Sequence, residues 1–326
     1  MTSPEQDSSP GNDPAWAHRA LERIALEGIT EQRRSRRWSI FFKLLGFSYL
    51  ALFLLALGDW SSSVDKFGEG TRHTALVQIN GAIMPKGEAS AERIISALQA
   101  AFEDKGTQGV ILSINSPGGT PVQAGMISDE IIRLRAKYPA TPLYVVVEDV
   151  CASGGYYVAA AADRIYVDKA SIVGSIGVLM EGFGFTRAME KLGVERRLLV
   201  AGENKGFLDP FSPEDPQQKI FVQKMLAEIH QQFIAAVRKG RGARLKETPE
   251  MFTGLMWSGT RGIELGLADA YGTVESVARE VIKNEDIRDY TVKQSLAERF
   301  SSRFGASMAE GMLDRTLGTL GNVHWR

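Results

Sequence analysis

The chain has 326 residues, 44% of them apolar, and a formal net charge of −1 at pH 7. This length and apolar content allow one large domain or two modest ones, and the near-neutral charge gives no indication of a nucleic-acid partner. A single cysteine, Cys151, excludes an internal disulfide and an all-cysteine metal site. The four histidines form no HExxH pattern, so zinc hydrolysis has no support, and we expect neither a metal nor a cofactor.

A strongly apolar segment lies near the N-terminus. Residues 40–58 contain one charge, Lys43, and are flanked by Trp38 and Trp60. As a helix they would extend roughly 28 Å, close to the hydrocarbon thickness of a bilayer, and tryptophans are typical of membrane interfaces. We therefore predict a transmembrane helix over residues 39–59. A buried core helix is disfavoured because every face is apolar, and a cleaved signal peptide is disfavoured because the segment begins about 40 residues into the chain and has a poor cleavage site.

Basic residues indicate the orientation of this span. Arginines cluster within about 20 residues before it, whereas only Lys66 and Arg72 lie within about 20 residues after it. The positive-inside rule places residues 1–38, which begin with a disordered stretch, in the cytoplasm. The remainder of the chain is then expected on the other side of the membrane.

After a predicted polar linker, residues 60–73, strands alternate with helices. Strands are expected at 75–79, 109–115, 143–147, 164–167 and 197–200, and helices at 89–102, 122–134, 157–162, 186–192, 260–265 and 274–282, with a long helix from Ser212 to about Arg238. This alternation predicts an α/β domain over residues 74–285 with a largely parallel sheet. Apolar residues recurring every four positions predict that residues 286–326 form a helical tail, which packs on the body or on a neighbour.

The segment 150–160 combines a buried strand end, a small hydroxyl residue and two glycines at a predicted strand-to-helix corner. Glycines allow another backbone to approach closely, and the first N–H groups of a helix are free to bind developing negative charge. Ser153 could therefore be a nucleophile with an oxyanion site beside it. The alternative is that Ser153 only caps the helix.

Two further segments could complete such a site. The glycines of Asn115-Ser116-Pro117-Gly118-Gly119 can turn N–H groups towards an anion, although Pro-Gly pairs more often mark ordinary turns. Lys205 lies in a loop with glycines and phenylalanines, where burial would lower the pKa of a lysine towards that of a general base. Composition alone does not select this lysine among the others.

Other nucleophilic arrangements have less support. No histidine lies between His73 and His230, and His230 falls inside the predicted long helix, so a histidine-based triad is disfavoured. Cys151 is a rival nucleophile, but small buried cysteines are usually inert and no base for it is evident.

The order of these motifs resembles the bacterial signal peptide peptidase A family. The resemblance covers roughly residues 75–271 and rests on Ala152-Ser153-Gly154-Gly155-Tyr156-Tyr157, Ala161-Ala162-Asp163, Gly174-Ser175-Ile176-Gly177-Val178 and Gly202-x-x-Lys205. It implies a Clp protease/crotonase-like α/β core with parallel strands, preceded by one transmembrane helix.

The resemblance also implies roles for individual residues. Ser153 would be the nucleophile, Lys205 the general base and Ser175 a support for the lysine, while Gly119 would help to form the oxyanion hole. Gly154 is a second oxyanion donor on its position alone.

The function implied is that of a membrane-anchored serine endopeptidase with a Ser-Lys dyad, which degrades cleaved signal peptides and similar apolar peptides. The expected partners are these peptides, the lipid bilayer and further copies of the chain in a homo-oligomer, with no nucleic acid. The expected location is the bacterial inner membrane, with a single pass, a cytoplasmic N-terminus and a periplasmic catalytic domain. One alternative is a catalytically silent membrane scaffold of the same fold, which the presence of both Ser153 and Lys205 disfavours. Another is a crotonase-type acyl-CoA enzyme, disfavoured by the motif order and the predicted topology.

Overall fold

The computed structural model describes residues 36–53 and 71–293. Contacts divide the chain into two units, one comprising Met1–Lys66 with Ser295–Arg326 and the other Phe67–Gln294. In the first unit, residues 36–53 form helix α1, whose side chains are exposed. Within the described ranges, no helix is both long enough and apolar enough to cross a membrane. Residues 54–59 of the predicted span, and residues 1–35 before it, lie outside the described residues.

The second unit is built on one eight-stranded sheet. Its strands are β1 (His73–Asn80), β2 (Thr107–Ser116), β3 (Leu143–Ala152), β4 (Arg164–Val167), β5 (Ile172–Gly174), β6 (Met256–Ser258), β7 (Ala270–Tyr271) and β8 (Ile287–Asp289). The order is β6-β5-β3-β2-β1-β8, with β4 pairing with β3 and β7. The described strand pairs are parallel apart from β5–β6. The predicted α/β class with a largely parallel sheet is therefore confirmed.

Helices connect the strands of this sheet. They are α2 (Ala91–Glu103), α3 (Pro121–Lys137), α4 (Gly154–Ala159), α5 (Thr186–Leu192), α6 (Pro216–Arg241), α7 (Gly259–Glu264) and α8 (Val274–Ser276), the last continued by a π-helical turn, Val277–Ile282. Along β2, Val110 and Leu112 belong to the main core, whereas Ile111 belongs to a second cluster with Val146 and Tyr166. Because side chains alternate across a strand, apolar contacts cover both faces of the sheet, as expected for parallel strands.

Three predicted elements differ from the structure. The strand predicted at 197–200 is wrong: this segment pairs with no described strand, and Leu199 is 95% exposed. The long helix begins at Pro216 rather than at Ser212, because the Asp215 carboxylate caps it by accepting the Gln217 N–H at 2.8 Å. The sheet also continues past residue 285, since β8 pairs with β1 inside the range predicted as a helical tail. The remainder of that tail, 294–326, lies outside the described residues.

A bulge in β3 creates the edge at which the predicted site residues lie. The register with β2 passes from Ile114–Val147 to Ser116–Cys151, so β3 carries extra residues there. The first half of β3 pairs with β4 and its last residues pair with β5. The carboxyl ends of β2, β3 and β5 consequently meet at one edge, which is where parallel α/β sheets usually bind ligands.

Candidate active site

Ser153 occupies a strained corner between β3 and α4. Its backbone has φ 50° and ψ −122°, a region that costs a residue other than glycine about 1–3 kcal/mol. The corner is held by two hydrogen bonds, from Ser153 N–H to the Gly174 carbonyl at 2.9 Å and from Tyr157 N–H to the Ser153 carbonyl at 3.0 Å. The hydroxyl makes no capping bond to the helix, so capping does not account for a serine at this position.

The turn of Gly118 and Gly119 lies directly against this corner. A Cβ atom on Gly118, whose φ is 110°, would lie 2.7 Å from Ser153 Cβ, and one on Gly119 would lie 2.0 Å from the Ile83 oxygen. Ile83 bridges this turn in parallel fashion, donating to the Gly118 carbonyl at 2.8 Å and accepting from Thr120 N–H at 3.0 Å. In a parallel bridge the N–H of the intervening residue, here Gly119, points away from the bridging strand.

Gly119 and Gly154 are thus neighbours beside Ser153. The Gly119 nitrogen lies 3.1 Å from the position that a Cβ atom on Gly154 would occupy. A side chain at Gly154 would also approach Ala124 Cβ at 3.4 Å, so the first turn of α3 closes the same space. The structure therefore brings together three residues that sequence analysis singled out, although their chemical roles stay predictions.

Ser175 follows β5 as Ser153 follows β3. Ala152 and Gly174 are paired in the sheet, which places the two serines at adjacent strand ends. Ser175 also has a positive φ, 51°, and its N–H donates to the Leu255 carbonyl at 2.8 Å. His230, interpreted from the sequence as an ordinary helix position, bonds through Nε2 to the Ile176 carbonyl at 3.0 Å and so fixes the segment after Ser175. No local pattern in the sequence predicts the contact between His230 and Ile176.

Lys205 lies in the loop between α5 and α6. Its side chain is exposed, and its N–H donates to the Gly202 carbonyl at 3.0 Å within a turn. Phe207 and Gly206 beside it are half-buried, but they do not enclose the amine.

The Lys205 loop has an internal brace that sequence analysis missed. The Asp209 carboxylate is 8% exposed, pairs with the Arg196 guanidinium and accepts the Ser212 hydroxyl at 2.6 Å. Arg196 in turn lies over the Phe211 ring at 5.4 Å. Nearby, the Leu208 N–H donates to Gln218 Oε1 of α6 at 3.0 Å. An acidic residue four positions after the lysine is the only sequence signal for this brace.

Cys151 is poorly suited to act as a nucleophile. It is completely buried, and this burial raises the pKa of its thiol, whereas a reactive cysteine requires an accessible thiolate. In the part of the chain that the structure describes, no group of histidine, cysteine or acidic side chains could hold a metal ion.

A serine held at a strained strand-to-helix corner, beside N–H groups of a glycine turn, is the arrangement found at the active sites of serine hydrolases. Comparison with known proteins agrees with this class. The sequence profile of peptidase family S49 matches residues 135–288, a range that includes Ser153, Ser175 and Lys205. A putative protease of Methanocaldococcus jannaschii is 32% identical over 218 residues, which cover 65% of this chain and 69% of that protein. The chain belongs to peptidase family S49, a family of serine proteases.

Other relatives share parts of the chain. A putative signal peptide peptidase SppA of Enterococcus faecium is 29% identical over 255 residues, 74% of this chain and 73% of that protein. A Brucella melitensis protein named Na(+)/H(+) antiporter NhaA is 43% identical over 210 residues, 63% of this chain. The match spans only 28% of the length of the Brucella protein. Among solved structures, a variant of the 1510-N membrane-bound stomatin-specific protease superposes with a TM-score of 0.40 at 12% identity, covering 69% of this chain and 100% of that one.

Proposed function

We propose that this protein is a membrane-anchored serine endopeptidase with a Ser153–Lys205 dyad on a Clp protease/crotonase-like core. The observation that carries the proposal is the corner at Ser153, where the hydroxyl is not used for capping and Gly119 and Gly154 lie alongside. Family membership supports peptide hydrolysis, and the matched range contains both members of the dyad.

In the proposed mechanism, the neutral Lys205 amine accepts the Ser153 proton as Oγ attacks the peptide carbonyl carbon. The N–H groups of Gly119 and Gly154 stabilise the oxyanion, while Ser175 orients the lysine. The lysine then transfers the proton to the leaving amine, and the C–N bond breaks to give an acyl-enzyme. Water, deprotonated by the same lysine, hydrolyses the ester and restores Ser153.

The proposed base, Lys205, is exposed in the single chain. Its loop and the adjoining segments expose large apolar side chains, including Leu179 at 78%, Phe183 at 81% and Leu199 at 95%. Contiguous exposed apolar surface usually marks a protein or membrane interface. We therefore propose a homo-oligomer in which a second copy covers this surface and takes Lys205 out of water, which is the condition for a lysine to act as a base.

The proposed substrates are signal peptides left after cleavage and similar apolar peptides. The name of the Enterococcus faecium relative supports this class. The predicted span at 39–59 would hold the enzyme in the bacterial inner membrane, with the N-terminus in the cytoplasm and the catalytic domain outside, where such peptides are released. The lipid bilayer is thus a proposed partner.

Variants of the dyad test the proposal in the purified full chain. Ser153→Ala and Lys205→Ala should each abolish hydrolysis of an apolar peptide, and Lys191→Ala, which changes an exposed lysine of α5, should not. A serine-reactive fluorophosphonate should label the wild type and spare Ser153→Ala. Full hydrolysis by either dyad variant would refute the mechanism, and absence of labelling in the wild type would favour a silent scaffold.

Mixing the two inactive variants tests the assembly. If serine and lysine come from different copies, the mixture regains activity; if each site is built from one chain and assembly only buries it, the mixture stays inactive while the wild type remains oligomeric. A wild type that is monomeric and fully active would refute the proposed role of the second copy.

A further inference from the structure

We propose that Ser116 is a positioning residue for the oxyanion site: its buried hydroxyl fixes the turn of Gly118 and Gly119 against the Ser153 corner. The inference rests on the proposed function and adds a residue to it. Ser116 is the last residue of β2 and is fully buried.

The Ser116 hydroxyl is occupied by the turn that follows it. Its Oγ accepts the Gly118 N–H at 3.1 Å and lies 3.4 Å from the Gly118 carbonyl oxygen, to which it donates. A side-chain oxygen that bonds the backbone two residues ahead is a common way to hold a tight turn. The conformation of this turn is therefore set by a side chain, in addition to the bridge with Ile83.

The same side chain also contacts the nucleophile's corner. Ser116 is paired with Cys151 across β2 and β3, two residues before Ser153. A Cβ atom on Gly155 would lie 3.4 Å from Ser116 Cβ and 3.7 Å from its Oγ, so the serine lies directly beneath the first turn of α4. One small buried residue thus touches both parts of the site, the glycine turn on one side and the base of α4 on the other.

This position has a specific consequence for catalysis. Removal of the hydroxyl leaves the buried Gly118 N–H without its partner, and the turn must shift to find another. Gly119 follows immediately, so its N–H shifts with the turn. An oxyanion donor acts over a narrow range of about 2.7–3.1 Å, and the charge it stabilises develops only during the reaction. The loss should therefore fall on kcat and leave KM almost unchanged.

The test compares Ser116→Ala with Ser113→Ala. Ser113 is another buried serine of β2, but its hydroxyl donates to Glu148 at 2.6 Å, away from the glycine turn. Rates are normalised to sites titrated with a fluorophosphonate, so that a smaller folded fraction is not mistaken for slower turnover. We expect Ser116→Ala to lower kcat about 10- to 100-fold with KM within about twofold, and Ser113→Ala to change neither by more than about twofold.

The affinity of a peptide aldehyde distinguishes an effect on the oxyanion site from a general structural effect of the Ser116 variants. Its adduct with Ser153 carries an oxyanion, so its affinity should fall in Ser116→Ala in parallel with kcat, whereas the affinity of the same peptide with an amide end should not. Ser116→Cys places a slightly larger side chain with a weaker acceptor at the same position and should give an intermediate kcat, even if the alanine variant fails to fold.

The possible results separate this inference from the proposed function. Wild-type kcat in Ser116→Ala or in Ser116→Cys would overturn it, as would a loss of kcat with unchanged aldehyde affinity. An equal loss in Ser113→Ala would overturn it too, because the effect would then come from β2 in general. If Ser153→Ala retained hydrolysis, the proposed function itself would fail, whatever the Ser116 variants show.

Discussion

Gly118 offers a sharp test of how the corner is built, because Gly125, seven positions later, provides a matched control. At Gly118 a methyl group would lie 2.7 Å from Ser153 Cβ and 2.8 Å from the Gly154 nitrogen, and φ is 110°. At Gly125, within α3, it would meet no atom within 4 Å. The same substitution should therefore act in opposite directions at the two sites.

The magnitudes follow from these surroundings. In Gly118→Ala, the positive φ costs about 1–3 kcal/mol and the overpacking about 1–3 kcal/mol, so the free energy of unfolding should fall by about 2–6 kcal/mol. Gly125→Ala should stabilise the protein by about 0.5–1 kcal/mol, since alanine is the better helix former. A displaced Gly119 should also reduce kcat of Gly118→Ala by about 100-fold or more.

Urea unfolding and peptide hydrolysis by the purified full chain measure these two effects. A Gly118→Ala protein as stable and active as the wild type would refute the close packing of the glycine turn against Ser153. A destabilised Gly125→Ala protein would instead show that the space around the first turns of α3 is not open.

Two ion pairs give further predictions. Burial alone raises the pKa of Asp269, but hydrogen bonds and charge from the fully buried Arg241 hold that pKa below its usual value. The ionised Asp269 therefore stabilises the fold above about pH 4, and this contribution to the free energy of unfolding is lost as the pH falls further. Asp269→Asn should therefore lower the free energy of unfolding by about 3–5 kcal/mol at neutral pH and by less near pH 2. Thermal unfolding of the variant and the wild type across this pH range measures the effect. A difference in stability that does not change with pH would contradict the prediction. Asp209→Asn should loosen the Lys205 loop and lower kcat/KM about 10-fold, and it should also lower Tm because the Asp209 carboxylate is 8% exposed. Glu247→Gln, which breaks the exposed pair with Arg238 of α6, should change neither. Unchanged activity in Asp209→Asn would show that the Asp209 brace does not position Lys205 for hydrolysis.

The α/β fold and the corner at Ser153 could be predicted from the sequence because their determinants are local. Leu143–Val147 is a continuous apolar stretch, and Ser153 with two glycines marks the turn after it. The strand predicted at 197–200 failed because β propensity and apolarity do not supply a neighbouring strand. Strand β8, which pairs with β1 more than 200 residues away in sequence, left no local pattern that could announce it.

The candidate site likewise combines local features, which the sequence predicts, with contacts between distant segments, which it does not. The turn at Gly119 and the corner at Ser153 are backbone features, and proline, glycine and serine encode them directly. The contacts of Ser116 and His230 join segments from separate elements, so only the fold identifies them. Lys205 was predicted as a site residue from the resemblance to the signal peptide peptidase A family, because no chemical pattern in the sequence distinguishes it from the other lysines.

The exposed position of Lys205 has a physical rationale in a protease. The corner at Ser153 is held within one chain by buried backbone hydrogen bonds, whereas the Lys205 loop is held by its own turn and by the Asp209 brace, and Lys205 itself is exposed. Desolvation lowers the pKa of a lysine towards that of a base, so in the proposed mechanism a chain that leaves this loop exposed would not activate Ser153. Coupling activation to the covering of the apolar side chains around Leu199 would keep isolated chains inactive. The proposed homo-oligomer would then account for two observations together, the exposed apolar side chains and the exposed Lys205.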